Sequence, residues 1–179
     1  MDPSLYRSVM DGIVEELSEQ IDGLDRELTP NYNTVLHVAA QFCQVDYLKA
    51  VLKACPSLLH KRNFEDETPL HTAARDGQAE IVEAIIAHTK RLEEELESGR
   101  DGEFKVMLRA TNRDGDTALH MAARYCNLGE GEYLEVVRLL TNEDPEFEHP
   151  LNRMSETPLY LAAERGSKGV AVVDTLANR

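Results

Sequence analysis

The chain has 179 residues, 42% hydrophobic and 29% charged, so it can bury a core, and its 6% aromatic content without Trp fits a helical protein better than a sandwich or barrel. Nineteen basic against thirty-three acidic side chains leave a net charge of −14, a field that repels phosphate backbones and anionic headgroups and so excludes nucleic acid as a direct partner. No apolar run approaches the roughly eighteen residues of a membrane span and no secretory leader opens the chain, so no direct membrane insertion and a cytoplasmic location are expected.

The first 30 residues read as a degenerate capping unit. Asp2-Pro3 supplies an N-cap and a first-turn proline, Leu5 and Gly12 stand at an interval that recurs downstream, and Leu17 and Ile21 continue as a second helix. Glu15, Glu16, Glu19 and Asp22 give this unit the polar outer face that a terminal repeat needs.

A repeated heptapeptide then takes over: Thr34-Val-Leu-His-Val-Ala-Ala40, Thr68-Pro-Leu-His-Thr-Ala-Ala74, Thr117-Ala-Leu-His-Met-Ala-Ala123 and Thr157-Pro-Leu-Tyr-Leu-Ala-Ala163. Each Thr is a good N-cap, and a proline at the next position has φ preset and no orphaned amide, so a helix starts there. Leu36, Leu70, Leu119 and Leu159 are predicted core positions, and the Ala-Ala pairs let neighbouring helices approach closely. His37, His71 and His120 are read as bridges from cap to turn backbone, because an imidazole both donates and accepts. Gly77 and Gly166 end two of these helices, and Cys43 and Cys126 occupy the same slot in the other two, at a cost of about 1 kcal/mol if they keep left-handed geometry. Second helices follow on Leu48, Val51 and Leu52; Ile81, Val82, Ile85 and Ile86; Leu134, Val137 and Leu140; and Val172, Val173 and Leu176.

The units therefore run 31–63, 64–112, 113–152 and 153–179 after the cap. In the second of these the helix continues past Ile86, with Lys90/Glu94 and Arg91/Glu95 at i, i+4, toward Gly99. Residues 98–103 and the acidic stretch 142–149 are expected to be projecting loops. Cys43, Cys55 and Cys126 are odd in number and form no CxxC pair, so reduced, buried thiols are expected, with Cys55, next to a proline, the most accessible.

The T-P-L-H-x-A-A-x-x-G pattern resembles the ankyrin repeat over essentially the whole chain. The opening Met1-Asp-Pro, the stretch Cys55-Pro-Ser-Leu-Leu-His-Lys-Arg-Asn63 and the stretch from Leu108 to His120 are similar to the plant accelerated-cell-death-type group of that family. The resemblance implies an all-α solenoid of about five units, stacked helix-turn-helix pairs with β-turn tips. It implies a non-catalytic protein-interaction module in plant defence or stress signalling. Members of the group carry their repeats on the cytoplasmic side of a C-terminal PGG membrane domain, so this chain, ending at Arg179 within its last unit, reads as a detached cytoplasmic part or a truncated product. Without a polar capping unit there, Val170, Val172, Val173 and Leu176 are expected to be open, and self-association through that end to follow.

Ankyrin proteins bind other proteins through turn tips and the concave face, so the resemblance assigns the partner surface residue by residue. The tips are Asn31 and Asn33; Phe64, Glu65 and Glu67; Arg113, Asp114 and Asp116; and Arg153, Met154 and Glu156. The concave pairs are Gln41-Phe42, Arg75-Asp76, Arg124-Tyr125 and Glu164-Arg165. Phe42, Tyr125, Arg75 and Arg124 would form an aromatic and cationic stripe suited to a partner of acidic character.

No cofactor and no metal are expected. His37, His71, His120, Cys43 and Cys126 carry zinc-ligand chemistry, but each falls on a position that the repeat itself dictates. Asp114-Gly115-Asp116 lacks the ligand spacing of a calcium loop. No nucleophile elbow, P-loop, H-E-x-x-H or dinucleotide fingerprint is present, so an enzyme is not expected.

Overall fold

The computed structural model describes residues 1–17, 23–95, 102–126, 132–148, 150–166 and 169–177. Helix α1 (Pro3–Asp11) begins at Asp2, whose carboxylate accepts the Ser4 amide at 2.8 Å, and ends on Gly12 at φ 69°. A short 3-10 turn, Val14–Glu16, follows and leads into buried Leu17, while Ile21 lies outside the described residues. Four helix pairs come next. They are α2 (Val35–Gln41) with α3 (Val45–Ala54), α4 (Pro69–Arg75) with α5 (Ala79–Glu95), α7 (Ala118–Tyr125) with α8 (Tyr133–Glu143), and α9 (Pro158–Glu164) with α10 (Val170–Ala177).

The pairs stack in two layers. First helices α1, α2, α4, α7 and α9 pack in series, and second helices α3, α5, α8 and α10 form a parallel row behind them. One continuous core runs through the stack from Leu5 to Val172, with Leu36, Leu70 and Leu119 essentially fully buried and the alanines of the first three heptapeptides filling the space between helices. Such a core exists only because neighbouring units cover each other's apolar faces. Leu159 departs from the expectation: it is 40% exposed, because no described element packs on the outer side of α9. Tyr160, in the histidine slot, is 53% exposed for the same reason, and at this end Val170 is open whereas Val172 is buried.

The three histidines do what their spacing predicts. The Thr34 and Thr68 amides each donate at 3.2 Å to Nδ1 of His37 and His71, and Thr117 does the same to His120. Because Nδ1 accepts, Nε2 carries the proton, and it donates to the carbonyl of Glu67 from His37 (2.9 Å) and of Asp116 from His71 (3.1 Å). Each imidazole thus ties the start of one helix to the turn of the next unit.

Cys43 and Cys126, alike in sequence position, differ in backbone. Cys43 keeps the left-handed geometry at φ 55°, as Gly77 (66°) and Gly166 (62°) do, whereas Cys126 is right-handed at φ −59°. Cys43→Gly should therefore raise stability by about 1 kcal/mol in urea titration, and Cys126→Gly should lower it by roughly 0.5–1 kcal/mol. Neither thiol is deeply buried: Cys43, not Cys55, is the most exposed cysteine, because the left-handed turn points it outward from the helix end.

The described residues around both insertions pack on the stack. Helix α5 reaches Glu95 as expected, and its Lys90 pairs with Glu143 on α8 instead of with Glu94. Residues 98–101 lie outside the described residues, but Glu103 opens an unexpected helix, α6 (Glu103–Arg109). Its Phe104, Met107 and Leu108 are buried against α5, the Phe104 amide donates to Glu93 Oε1 at 2.7 Å, and Lys90 Nζ stands 5.6 Å from the Phe104 ring centre. In the second insertion Asn142 and Glu143 belong to α8, and Asp144 does not project: it is buried and holds Arg109 through contacts of 2.6 and 3.0 Å. The Arg109 guanidinium also lies 4.6 Å from the Phe147 ring centre, so the acidic stretch is clamped onto α6.

Candidate functional site

The turn tips are built on a pattern that runs backward from each heptapeptide threonine. Five residues before it stand Asn63, Asn112 and Asn152, whose Oδ1 atoms each accept two backbone amides at 2.9–3.0 Å: those of Glu65 and Glu67, Asp114 and Asp116, and Met154 and Glu156. Two residues before the threonine the backbone turns left-handed, at Tyr32, Asp66, Gly115 and Ser155. Successive tips are then joined by main-chain bonds: the amides of Phe64, Arg113 and Arg153 donate to the carbonyls of Asn31, Glu65 and Asp114 at 2.8–2.9 Å. The result is a continuous, fixed ribbon.

Beneath the ribbon runs a belt of paired charges, and here several predicted contact residues take a different role. Glu67 and Asp116 are buried, 5% and 2% exposed, and Glu156 is half-buried. Arg75 donates to Glu67 at 2.9 Å and to Asp76 at 3.1 Å. Arg124 reaches both Asp116 (2.9 Å) and Glu156 (3.0 Å), and Asn152 adds a bond to Asp116 at 2.7 Å. The expected cationic stripe is therefore neutralised from within: the arginines seven residues after Thr68 and Thr117 meet the acids just before those threonines, on the same face of the turn. Phe42 and Tyr125 are half-buried and pack on the core, Phe42 also meeting Tyr6 edge-on at 6.3 Å between ring centres. Their position at the helix end turns part of each ring onto the core. Arg165 is likewise half-buried, and Glu164 is exposed.

Other predicted residues, together with Arg75 and Glu67 of the belt, face an open groove. It has a volume of about 1050 Å³ and lies between α1 and the first two tips, with Asn31, Asn33, Gln41, Phe64 and Glu65 among its lining. Tyr6 and Met10 of α1 close its far wall, a contribution the repeat pattern did not announce. At its rim Tyr32 and Phe64 stack, ring centres 6.4 Å apart and planes 13° apart, with each residue about half exposed. Arg113 lies over the Phe64 ring at 4.6 Å and donates to the Phe64 carbonyl. Tyr32 was missed by sequence reasoning because it sits at the strained left-handed position; the offset of two residues before Thr34 is the signal that marks it. Further along, Asp114, Arg153 and Met154 remain exposed tip residues, Met154 at 71%.

The family model for ankyrin repeats (3 copies) matches residues 5–95 and 58–145. The chain belongs to the ankyrin-repeat family. It is 29% identical over 172 residues to the Arabidopsis thaliana protein ACCELERATED CELL DEATH 6, a match covering 94% of this chain and 24% of that protein. A Caenorhabditis elegans homolog of transient receptor potential cation channel subfamily A member 1 is 23% identical over 76% of this chain and 11% of its own length. An ankyrin repeat-containing protein of Arabidopsis thaliana is 34% identical over 42% of this chain, again 11% of its own length. The chain thus spans a quarter or less of these relatives.

Ankyrin repeats as a class mediate binding to other proteins. Each of His37, His71 and His120 is engaged in a cap, and no group of three or more metal-ligating side chains stands together among the described residues. Burial pushes the His37 and His71 imidazoles down to about 4, and the His120 imidazole in the same direction, so all three are held neutral as structural groups. Among the described residues no helix is long and apolar enough to cross a membrane.

Proposed function

We propose that this ankyrin array is a non-catalytic interaction module whose contact surface is the groove beside α1 and the tips along its rim. The observation that carries the reading is the exposed Tyr32–Phe64–Arg113 stack above the groove. Rigid aromatic groups fixed on a hydrogen-bonded ribbon lose little entropy on binding, and aromatic and arginine side chains dominate interface energetics. Asn31, Asn33, Gln41 and Glu65 supply polar contacts around them, while Asp114, Arg153 and Met154 extend the surface. Arg75, Arg124, Glu67, Asp116 and Glu156 hold the tips in shape.

The likeness to ACCELERATED CELL DEATH 6 across 94% of this chain supports a role in plant cell-death or defence signalling. The likeness to the cation-channel homolog supports a second reading, in which the array serves on the cytoplasmic side of a channel-like or receptor-associated assembly. Affinity capture from plant extract, with the parent chain and with a Tyr32→Ala/Phe64→Ala variant of unchanged helical circular dichroism, tests the contact surface. Proteins held by the parent should be lost by the variant, and retention of the same proteins at the same level would overturn the assignment. Solubilised membrane fractions run in parallel separate the two readings, since an assembly partner would be recovered there.

A further inference from the structure

Another groove, of about 590 Å³, lies between α6 and the residue that leads into the second tip, Arg62. Arg62, Lys105 and Arg109 line it around Val106, and no carboxylate lines it among the described residues, although the chain as a whole carries −14. Helix α6 explains how this concentration arises. Phe104, Met107 and Leu108 turn inward, which places Lys105, Val106 and Arg109 outward, with Val106 62% exposed. Lys105 and Arg109 stand at i, i+4, where like charges destabilise a helix.

Two of the cations are held in place before anything binds. Arg62 donates through Nη1 to the carbonyls of Asp66 (2.9 Å) and Thr111 (2.6 Å), neutral acceptors that fix the guanidinium and leave its charge uncompensated. Arg109 is anchored by Asp144 and Phe147. Lys105, exposed, has no carboxylate partner among the described residues. We propose that this groove docks an acidic segment of another protein, with carboxylates meeting Arg62 and Lys105 and an apolar side chain covering Val106. Charge complementarity favours a slender segment over a membrane: a planar anionic surface would meet the acidic remainder of the molecule, whereas a single strand meets the local patch, within the roughly 8 Å over which charges act at physiological salt. The groove shares no lining residue with the tip groove, so Tyr32→Ala/Phe64→Ala should leave peptide binding there unchanged.

The test measures fluorescence anisotropy of a labelled peptide of glutamates around one leucine, against its glutamine counterpart, with the full chain. The glutamate peptide should bind and the glutamine peptide should not. Lys105→Glu, at an exposed position that no packing depends on, should weaken binding by roughly tenfold or more, and Val106→Ser should weaken it by a smaller factor. Equal binding of the two peptides, no binding of the glutamate peptide, or unchanged affinity in both variants would overturn the proposal. So would a Lys105-dependent preference for phosphatidylserine vesicles over the peptide.

Discussion

Between pH 7 and about pH 5 the protein should lose on the order of 4 kcal/mol of stability through His37 and His71 alone. Both imidazoles are neutral in the fold, their Nδ1 atoms accepting an amide and their Nε2 protons given to a carbonyl, and burial lowers their pKa from 6.5 to about 4. In the unfolded chain each takes up a proton as the pH falls through 6.5, whereas the folded chain takes it up only near 4. Over that window the unfolded state binds more protons, so the stabilisation is complete above 6.5 and is lost progressively toward 4. Each unit of pH in the window costs about 1.4 kcal/mol per histidine. The upper part of the window lies above the ordinary carboxylate range, so urea midpoints from pH 7 to 5 isolate the histidines. His37→Gln/His71→Gln should be less stable at pH 7 and flatter across the same range. A parent midpoint that does not move between pH 7 and 5 would refute this account.

The same histidines show why so much of the fold was legible. A threonine cap, a leucine and an imidazole at fixed offsets are local devices, and each one recurs with the geometry its residue types require, from Thr34 to Thr117. What could not be read were the outcomes of pairing across distance. Cys43 and Cys126 share a slot, yet only one is left-handed. Helix α6 offers just three inward apolar residues, and it is ordered by Glu93 on α5 and Asp144 beyond α8. Glu67 and Asp116 looked like tip surface because sequence spacing does not say that an arginine eight residues later folds back onto them. The recurring asparagine at positions 63, 112 and 152 was available as a signal for the tips, since Asn commonly bonds its own turn backbone. Tyr6 reaches the groove only because α1 stacks beside the first tip.

That distinction between framework and surface charge leads to the second large effect. Arg124→Ala should destabilise the protein by about 3 kcal/mol, because it strips the main counterion from a carboxylate, Asp116, that is 2% exposed. Asn152 would remain as a donor at 2.7 Å, but one amide does not compensate a buried charge, and Glu156 would lose its tie to the preceding unit at the same time. Arg124→Lys should recover little, since a single ammonium cannot reproduce the forked contacts to two carboxylates. Adding Asp116→Asn to Arg124→Ala should recover part of the loss by removing the stranded charge. Arg113→Ala provides the contrast: its bridge to Glu65 is exposed on both sides, so its removal should change stability by under about 0.5 kcal/mol while weakening partner capture at the Phe64 rim. Urea titration of the four variants decides the matter. If Arg124→Ala costs no more than Arg113→Ala, the belt does not hold the tips, and Arg75 and Arg124 return to the list of candidate contact residues.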